Sequence, residues 1–291
     1  MKKVVVIGGG FAGSEVAKKL ESKFEVTLID TKNYFEFTPS VLRTFVEPNH
    51  VRKIQVLHCN YLLNAKIVIG KVTGVDDNRA YVGKKSFGYD YLVICAGSRY
   101  ELPFKGQDVV AASRASYLVN VYEDLKRGKR VVLVGGGLVG VELAAEIVGK
   151  YGREKEVVIV HSGKQLIERN NIRAIEYAQR FLENRGVKIL FGERVEDIRK
   201  KVCYLSSGRK IKFDVVFLCT GIKPNCEFLN KLWLEERGVA VDEFLRVRGK
   251  KNVFAAGDVN SITEEKTAQA AEKQASVVVR NIIATENNQR L

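Results

Sequence analysis

Lys2-Lys-Val-Val-Val-Ile-Gly-Gly-Gly-Phe-Ala-Gly13 opens on two lysines, runs through four β-branched residues and ends in spaced glycines. Lysines suit the edge of a sheet, and the apolar run suits a strand buried on both faces. Gly8, Gly10 and Gly13 then follow the G-x-G-x-x-G spacing. Gly8 permits a tight strand-to-helix turn, Gly10 lets backbone approach a pyrophosphate, and Gly13 lets helix and strand pack closely. Phe11 and Ala12 open the helix, whose N-terminus faces the negative charge. A second strand, Phe24 to Asp30, ends in a carboxylate twenty residues beyond Gly10, placed to accept hydrogen bonds from the ribose hydroxyls of an adenosine. Glycines so spaced also occur in plain turns, but strand, glycines, helix, strand and acid together point to a dinucleotide site.

The motif returns at Lys129-Arg-Val-Val-Leu-Val-Gly-Gly-Gly-Leu-Val-Gly140, with Gly135, Gly137 and Gly140 spaced as before and Leu138 and Val139 between them; a helix follows over Val141 to Lys150. Two sites of one design imply two dinucleotides. Neither half carries an obvious substrate pocket, so the economical expectation is that one nucleotide passes electrons to the other across the interface. The fold class expected is α/β: two Rossmann-like three-layer units, each with a parallel sheet and a small antiparallel β-meander. The first unit is discontinuous, residues 1–105 plus 246–291, and the second spans 106–245.

The intervening sequence supports this plan. After Asp30, the segment Thr31 to Arg43 includes Lys32, Thr38 and Pro39 among crowded aromatics, which suit the wall of a flat ring or, equally, the edge of a core. Ile67 to Phe87 reads as a meander, and Tyr89 to Gly97 as a buried strand ending in the small-residue turn Ala96-Gly97. In the second unit, Val157 to His161 and Val187 to Phe191 read as strands, Arg173 to Arg185 as a helix and Val202 to Ile211 as a meander. Asp214 to Gly221 matches the strand ending at Gly97. Val253 to Asp258 is a buried strand ending in Gly257-Asp258, ahead of a helix over Thr267 to Ala284.

At 291 residues, 46% hydrophobic and 28% charged, the chain suits two domains with full cores. No apolar run approaches a membrane span and the start shows no leader, so the cytoplasm is the expected compartment, with peripheral contact at the inner face of the membrane as the alternative. The net charge of +14 comes from short basic groups at separate turns, which argues for a solvated surface rather than a specific nucleic-acid site. Five cysteines form no C-x-x-C; Cys95 and Cys219 end apolar strands as small core residues, and neither a dithiol relay nor a zinc site is supported by spacing.

Residues Val4 to Gly13, Tyr89 to Gly97, Val131 to Glu142, Phe217 to Asn225 and Asn252 to Asp258 together resemble the two-dinucleotide-domain flavoprotein reductases. Within these, the chain resembles the type II NADH dehydrogenase and ferroptosis suppressor protein 1 (AIF-like) family. Asn33 to Pro39 is similar to an aromatic-rich loop of the dehydrogenases. Leu42-Arg43, Ile159-Val-His-Ser162 and Leu218-Cys-Thr-Gly-Ile-Lys223, with its Gly221-Ile222, are similar to the suppressor branch. Lys266-Thr-Ala to Gln274-Ala resembles the flavin-facing helix of quinone and sulfide reductases. The resemblance assigns FAD to the first fingerprint, with Asp30 on its ribose and Asp258 on its ribityl chain or pyrophosphate region. It assigns NADH or NADPH to the second. Glu142 matches an acid near the stacked rings and Lys266 a lysine near the isoalloxazine. Relatives continue past the flavin-facing helix, and the chain lacks the cysteine pair of sulfide:quinone and glutathione-type reductases.

The leading expectation is an FAD-dependent NAD(P)H dehydrogenase whose acceptor is a quinone or quinone-like compound, with Glu142 and Lys266 as candidates to tune or relay protons. A reductase of a small electron-carrier protein, docked by basic surface, is the alternative; a nucleotide-sensing or polyanion-binding flavoprotein without turnover is a third. Where an NAD-selective site places an acid at its second strand end, this chain has His161 and then Ser162, so NADPH is expected to be accepted at least comparably to NADH. Oligomeric state is not legible.

Overall fold

Val4 to Ile7 are buried, and the strand they form, β1 (Lys3–Ile7), lies at the centre of a five-stranded parallel sheet. The structure is a computed structural model and describes residues 1–100, 103–105 and 109–289. From β1 the chain turns into α1 (Phe11–Leu20), which buries Ala12, Val16, Ala17 and Leu20 at helical spacing, and returns through β2 (Glu25–Asp30). A short hairpin pairs β3 (Tyr34–Glu36) with a later strand; between them come α2 (Val41–Thr44) and α3 (Val51–Ile54), and then the partner itself, β4 (Gln55–Leu57). β5 (Lys66–Ile69) follows, then the meander β6 (Gly74–Val75), β7 (Arg79–Val82) and β8 (Lys85–Gly88), and β9 (Tyr91–Ile94).

The expected meander over Ile67 to Phe87 is therefore shorter. Lys66–Ile69 pairs parallel with β2, Thr27 opposite Lys66 through Asp30 opposite Ile69, and completes the sheet edge. Its unbroken Ile67-Val68-Ile69 run suits a parallel strand better than the alternation of a hairpin.

The second unit begins with β10 (Ser98–Arg99) and α4 (Ala111–Arg127), then repeats the first: β11 (Arg130–Val134), α5 (Leu138–Tyr151), β12 (Glu156–His161), α6 (Ile172–Glu183) and β13 (Lys188–Phe191). Its meander comprises β14 (Val195–Arg199), β15 (Val202–Leu205) and β16 (Lys210–Lys212), so it starts one strand before the expected Val202. β17 (Val215–Leu218) closes a four-stranded parallel sheet of order β13-β12-β11-β17, and β18 (Lys223–Pro224) pairs with β10.

The chain then crosses back through β19 (Leu234–Glu235) and β20 (Gly238–Val239) to β21 (Val253–Ala255), which joins β9, and to α7 (Ala268–Glu286), which packs on α1. Leu229, Trp233, Val239, Val241 and Leu245 lie in the core of the first sheet, so by packing the return comes well before residue 246. In the opposite sense, Val41, Leu42, Phe45 and Ile54 pack with Leu143 and Ile147 of α5, and Phe45 stacks on Phe217 at 5.6 Å. The expected boundary at 105/106 abuts residues 106–108, which lie outside the described residues, as do 290–291. Among the described residues no helix is long and apolar enough to cross a membrane.

Candidate functional site

The first glycine turn is built by steric necessity on one side and open on the other. Gly8 has φ +98°, and a Cβ there would stand 2.2 Å from the Cys95 carbonyl oxygen. A Cβ at Gly13 would stand 1.8 Å from the Gly8 carbonyl oxygen, so α1 sits directly on the turn. At Gly10 a Cβ would meet nothing within 4 Å. Gly10 is also the N-cap of α1 and has no side chain to satisfy the first-turn N–H groups. Free N–H donors on an open face fit a pyrophosphate. Phe11, at the start of α1, packs edge-on against Phe35 at 5.1 Å and Phe37 at 5.5 Å, while Tyr34 is fully buried. The aromatic segment thus packs on the start of α1 and closes the core edge. Thr31 and Pro39 are exposed beside it, and Lys32 and Thr38 half-buried.

Asp30 is buried behind this turn. Its Oδ2 accepts from the Gly9 N–H at 2.8 Å and lies 3.2 Å from His58 Nε2, while Oδ1 accepts from the Lys32 N–H at 3.1 Å. Burial alone would raise the carboxyl, but the His58 hydrogen bond and the Lys32 charge hold it below the usual carboxylate range. His58 is fully buried, and its Nδ1 lies 2.6 Å from the Tyr61 hydroxyl. Sequence reasoning missed both, because they arrive from a loop beyond β4 with no spacing to mark them.

The second turn reproduces the first. Gly135 has φ +114° and would place a Cβ 2.3 Å from the Cys219 carbonyl oxygen; Gly140 would place one 2.0 Å from that of Gly135; Gly137, the N-cap of α5, is open. Leu138 and Val139 form the first residues of α5, and Leu138 is exposed. His161 stands where Asp30 stands in the first unit: the Gly136 N–H donates to His161 Nδ1 at 3.1 Å. Ser162 is exposed, and Glu168 Oε1 lies 4.0 Å from His161 Nε2.

The units meet at the turns after β9 and β17. Gly97 and Gly221 both take positive φ, +63° and +99°, with open space at each Cβ position. β10 pairs antiparallel with β18, the Asn225 N–H donates to the Gly97 carbonyl at 2.9 Å, and Asn225 Nδ2 donates to that of Ala96 at 2.8 Å. Ala96-Gly97 and Gly221-Ile222 are thereby tied across the cleft. Asp258 faces the same place, accepting from Ser98 Oγ at 2.5 Å and Lys105 Nζ at 2.9 Å. The preceding residue, Gly257, packs over Ala12 and donates its N–H to Gln274 Oε1 at 2.7 Å. Lys266 Nζ donates to the Asn260 carbonyl at 2.9 Å, and burial holds its ammonium below the ordinary lysine range against the pull of Asp258 and Glu264.

Glu142, two residues beyond Gly140 on α5, is exposed. Partial desolvation and then the charge of Glu146 one turn on push its carboxyl above the usual range. Tyr100 links these groups: burial and then the charges of Asp258 and Glu142 push its hydroxyl up to about 12. Arg43 Nε lies 2.8 Å from Glu146 Oε2 on α5.

Residues 2–275 match the model of the pyridine nucleotide-disulphide oxidoreductases. The chain is 31% identical to apoptosis-inducing factor homolog B of Dictyostelium discoideum, over 97% of its own length and 81% of that protein's. The chain belongs to the pyridine nucleotide-disulphide oxidoreductase family. It is also 31% identical to ferroptosis suppressor protein 1 of Homo sapiens, over 96% of this chain and 80% of that one. In fold it superposes on the sulfide:quinone oxidoreductase of Aquifex aeolicus with TM-score 0.82 at 21% identity, covering 99% of this chain and 78% of the other. Some matched structures are longer, and the chain spans 57% of the Bacillus anthracis CoADR-RHD.

Family membership makes this chain an FAD-dependent NAD(P)H oxidoreductase, and the two glycine turns, open at Gly10 and Gly137, fit two dinucleotides. All five cysteines are free thiols. Cys95 and Cys219 supply the carbonyls against which Gly8 and Gly135 turn, and burial pushes both thiols up to about 12. Thiols so placed stay protonated and serve packing, as their strand-end positions predict.

Proposed function

We propose that electrons taken from NAD(P)H leave this protein on a quinone or quinone-like acceptor. When bound, the flavin supplies the chemistry of accepting a hydride and passing electrons on. The chain's own contribution to that step is alignment: the turns at Gly10 and Gly137, tied across the cleft through Asn225 and the β10–β18 pairing, hold two nucleotides at a fixed separation. Alignment requires no acid or base.

Glu142 is the observation that carries the acceptor assignment. A carboxyl raised above its usual range, exposed on α5 just beyond the second glycine turn and within electrostatic reach of Tyr100, holds a proton closer to neutral pH than an ordinary glutamate does. Quinone reduction uses such a proton, since NADH, H⁺ and quinone give NAD⁺ and quinol; a one-electron carrier does not. Lys266, with its depressed ammonium, is the second group able to move a proton there.

The experiment has two arms. Anaerobic NADH or NADPH added to the FAD-loaded protein is expected to bleach the visible flavin band, and an unchanged band would refute the dehydrogenase reading. Steady-state oxidation of NAD(P)H across quinones, dyes, oxygen and carrier proteins is expected to run fastest with quinones. A carrier protein that outpaced every quinone would move the assignment to the electron-carrier reductase, which the basic surface favours.

A further inference from the structure

The strand-end groups behind the two glycine turns are different residues arranged around one plan. In the first unit the turn's N–H, from Gly9, donates to a carboxylate at the end of β2, and an imidazole from a later loop, His58, backs it. In the second unit the turn's N–H, from Gly136, donates to an imidazole at the end of β12, and a carboxylate from a later loop, Glu168, stands behind it. Acid and imidazole have exchanged places.

The exchange leaves a donor without a partner. Because His161 Nδ1 accepts from Gly136, a neutral ring carries its proton on Nε2. That nitrogen is buried and has no hydrogen-bond partner among the described residues. Glu168 Oε1 is 4.0 Å away, too far for a direct bond. The Glu168 carboxylate beside it is exposed, open to a hydroxyl donor from solvent.

The loop that carries Glu168 is shaped to bring it there. Ile167 takes φ +41°, a conformation that β-branched residues rarely adopt, and its N–H donates to the Gly136 carbonyl at 2.9 Å, fixing the loop to the glycine turn. The Lys164 N–H donates to Glu168 Oε1 at 3.1 Å. Gly163 leaves the space: a Cβ there would stand 2.0 Å from Glu168 Oε1 and 2.7 Å from His161 Nε2.

We propose that Glu168, held against His161 by this loop, reads the 2′-position of the coenzyme's adenosine ribose and makes the site select NADH over NADPH. This rests on the second turn holding the nicotinamide coenzyme. A 2′-hydroxyl donates to the carboxylate, whereas a 2′-phosphate sets negative charge on it and has lost the proton to donate. Lys164 and Arg169 are exposed and their attraction for a phosphate is screened by water. The strand end alone predicts that NADPH is accepted at least comparably; a residue of the following loop reverses it.

The test compares ADP-ribose with 2′-phospho-ADP-ribose by calorimetry on the FAD-loaded protein, alongside kcat/KM for flavin reduction by NADH and NADPH. Wild type is expected to favour the unphosphorylated ligand and NADH by about tenfold or more, the scale of a charge-assisted hydrogen bond. Glu168→Gln should move both ratios toward the phosphorylated partner by about tenfold. Gly163→Ala, whose methyl would stand 2.0 Å from Glu168 Oε1 and 2.7 Å from His161 Nε2 and so displaces the carboxylate and presses on the ring, should move them the same way with flavin content unchanged. A wild type that favours the phosphate, or ratios unmoved in Glu168→Gln, would overturn the proposal. If neither coenzyme reduces the flavin, the dehydrogenase reading fails instead, and the ligand affinities still decide the role of Glu168.

Discussion

Gly10 differs from its neighbours in that nothing in the fold requires it to lack a side chain. Gly10→Val is therefore expected to fold normally and lose FAD, because the branched side chain takes the space where a pyrophosphate approaches the backbone. Flavin-to-protein ratio read beside the melting temperature separates the two effects, and a variant that purified yellow and stoichiometric would remove the first turn from the site. Glu142 makes the complementary case, since it is expected to matter for turnover and not for flavin. Glu142→Ala should keep FAD and lose more turnover than coenzyme affinity; equal losses would make it a binding residue only. Its carboxyl is raised, so the protonated form persists to higher pH than for an ordinary glutamate and is lost as pH rises through the raised value. Quinone turnover at saturating NADH should fall along that limb in the wild type and show no such limb in Glu142→Gln. A limb retained unchanged in the variant would assign the proton to another group.

Among the elements, α4 is fastened to β3 by an ion pair out of reach of water. Arg114 Nε and Nη2 lie 3.0 and 3.2 Å from the two carboxylate oxygens of Glu36, and Nη2 also donates to the Pro103 carbonyl at 2.9 Å. Arg114 is fully buried and Glu36 nearly so. Arg114→Met should leave a buried carboxylate without its counter-charge and cost about 3–5 kcal/mol in urea unfolding, with much of that recovered in the double variant that adds Glu36→Gln. A loss under about 1 kcal/mol would mean that water reaches Glu36. None of this pair was legible in the sequence, where Glu36 sits among aromatics and Arg114 in a polar helix 78 residues away. What was legible was local. The runs Val4 to Ile7 and Val131 to Val134, with glycines at fixed offsets, specify strand, turn and helix within a dozen residues, and the structure follows them closely. The strands at Lys66–Ile69 and Val195–Arg199 were misread or missed because short runs carry little periodicity and their pairing is decided by distant partners. His58 and Glu168 escaped for the same reason: each is delivered to a glycine turn by a loop whose course no spacing reveals. The one local sign of Glu168 was Gly163, which has no turn to make and is needed only for room.

On the scale of the whole molecule, the two sheets are locked by small contacts at the cleft and by larger ones behind it. Phe45 of the first unit stacks on Phe217 of the second, and Arg43 pairs with Glu146 on α5, so the segment after β3 is packed against the helix bearing Glu142. What approaches the cleft from solvent meets a molecule of formal net charge +14. That field decides between acceptors. An acidic carrier protein is steered by it, and raising salt from about 10 to 150 mM shortens the screening length from about 30 to 8 Å, enough to remove most of the steering. A neutral quinone carries no charge for the field to act on. With NADH held saturating, so that the salt sensitivity of that anionic substrate does not enter, kcat/KM for a soluble short-chain quinone is expected to vary by less than about twofold across this range. The reduction of any acidic carrier should fall about tenfold or more and start below the quinone rate. A carrier that begins above the quinone at low salt and falls steeply would instead make the basic surface a docking face, and Glu142 a residue whose raised carboxyl serves the cleft rather than the acceptor.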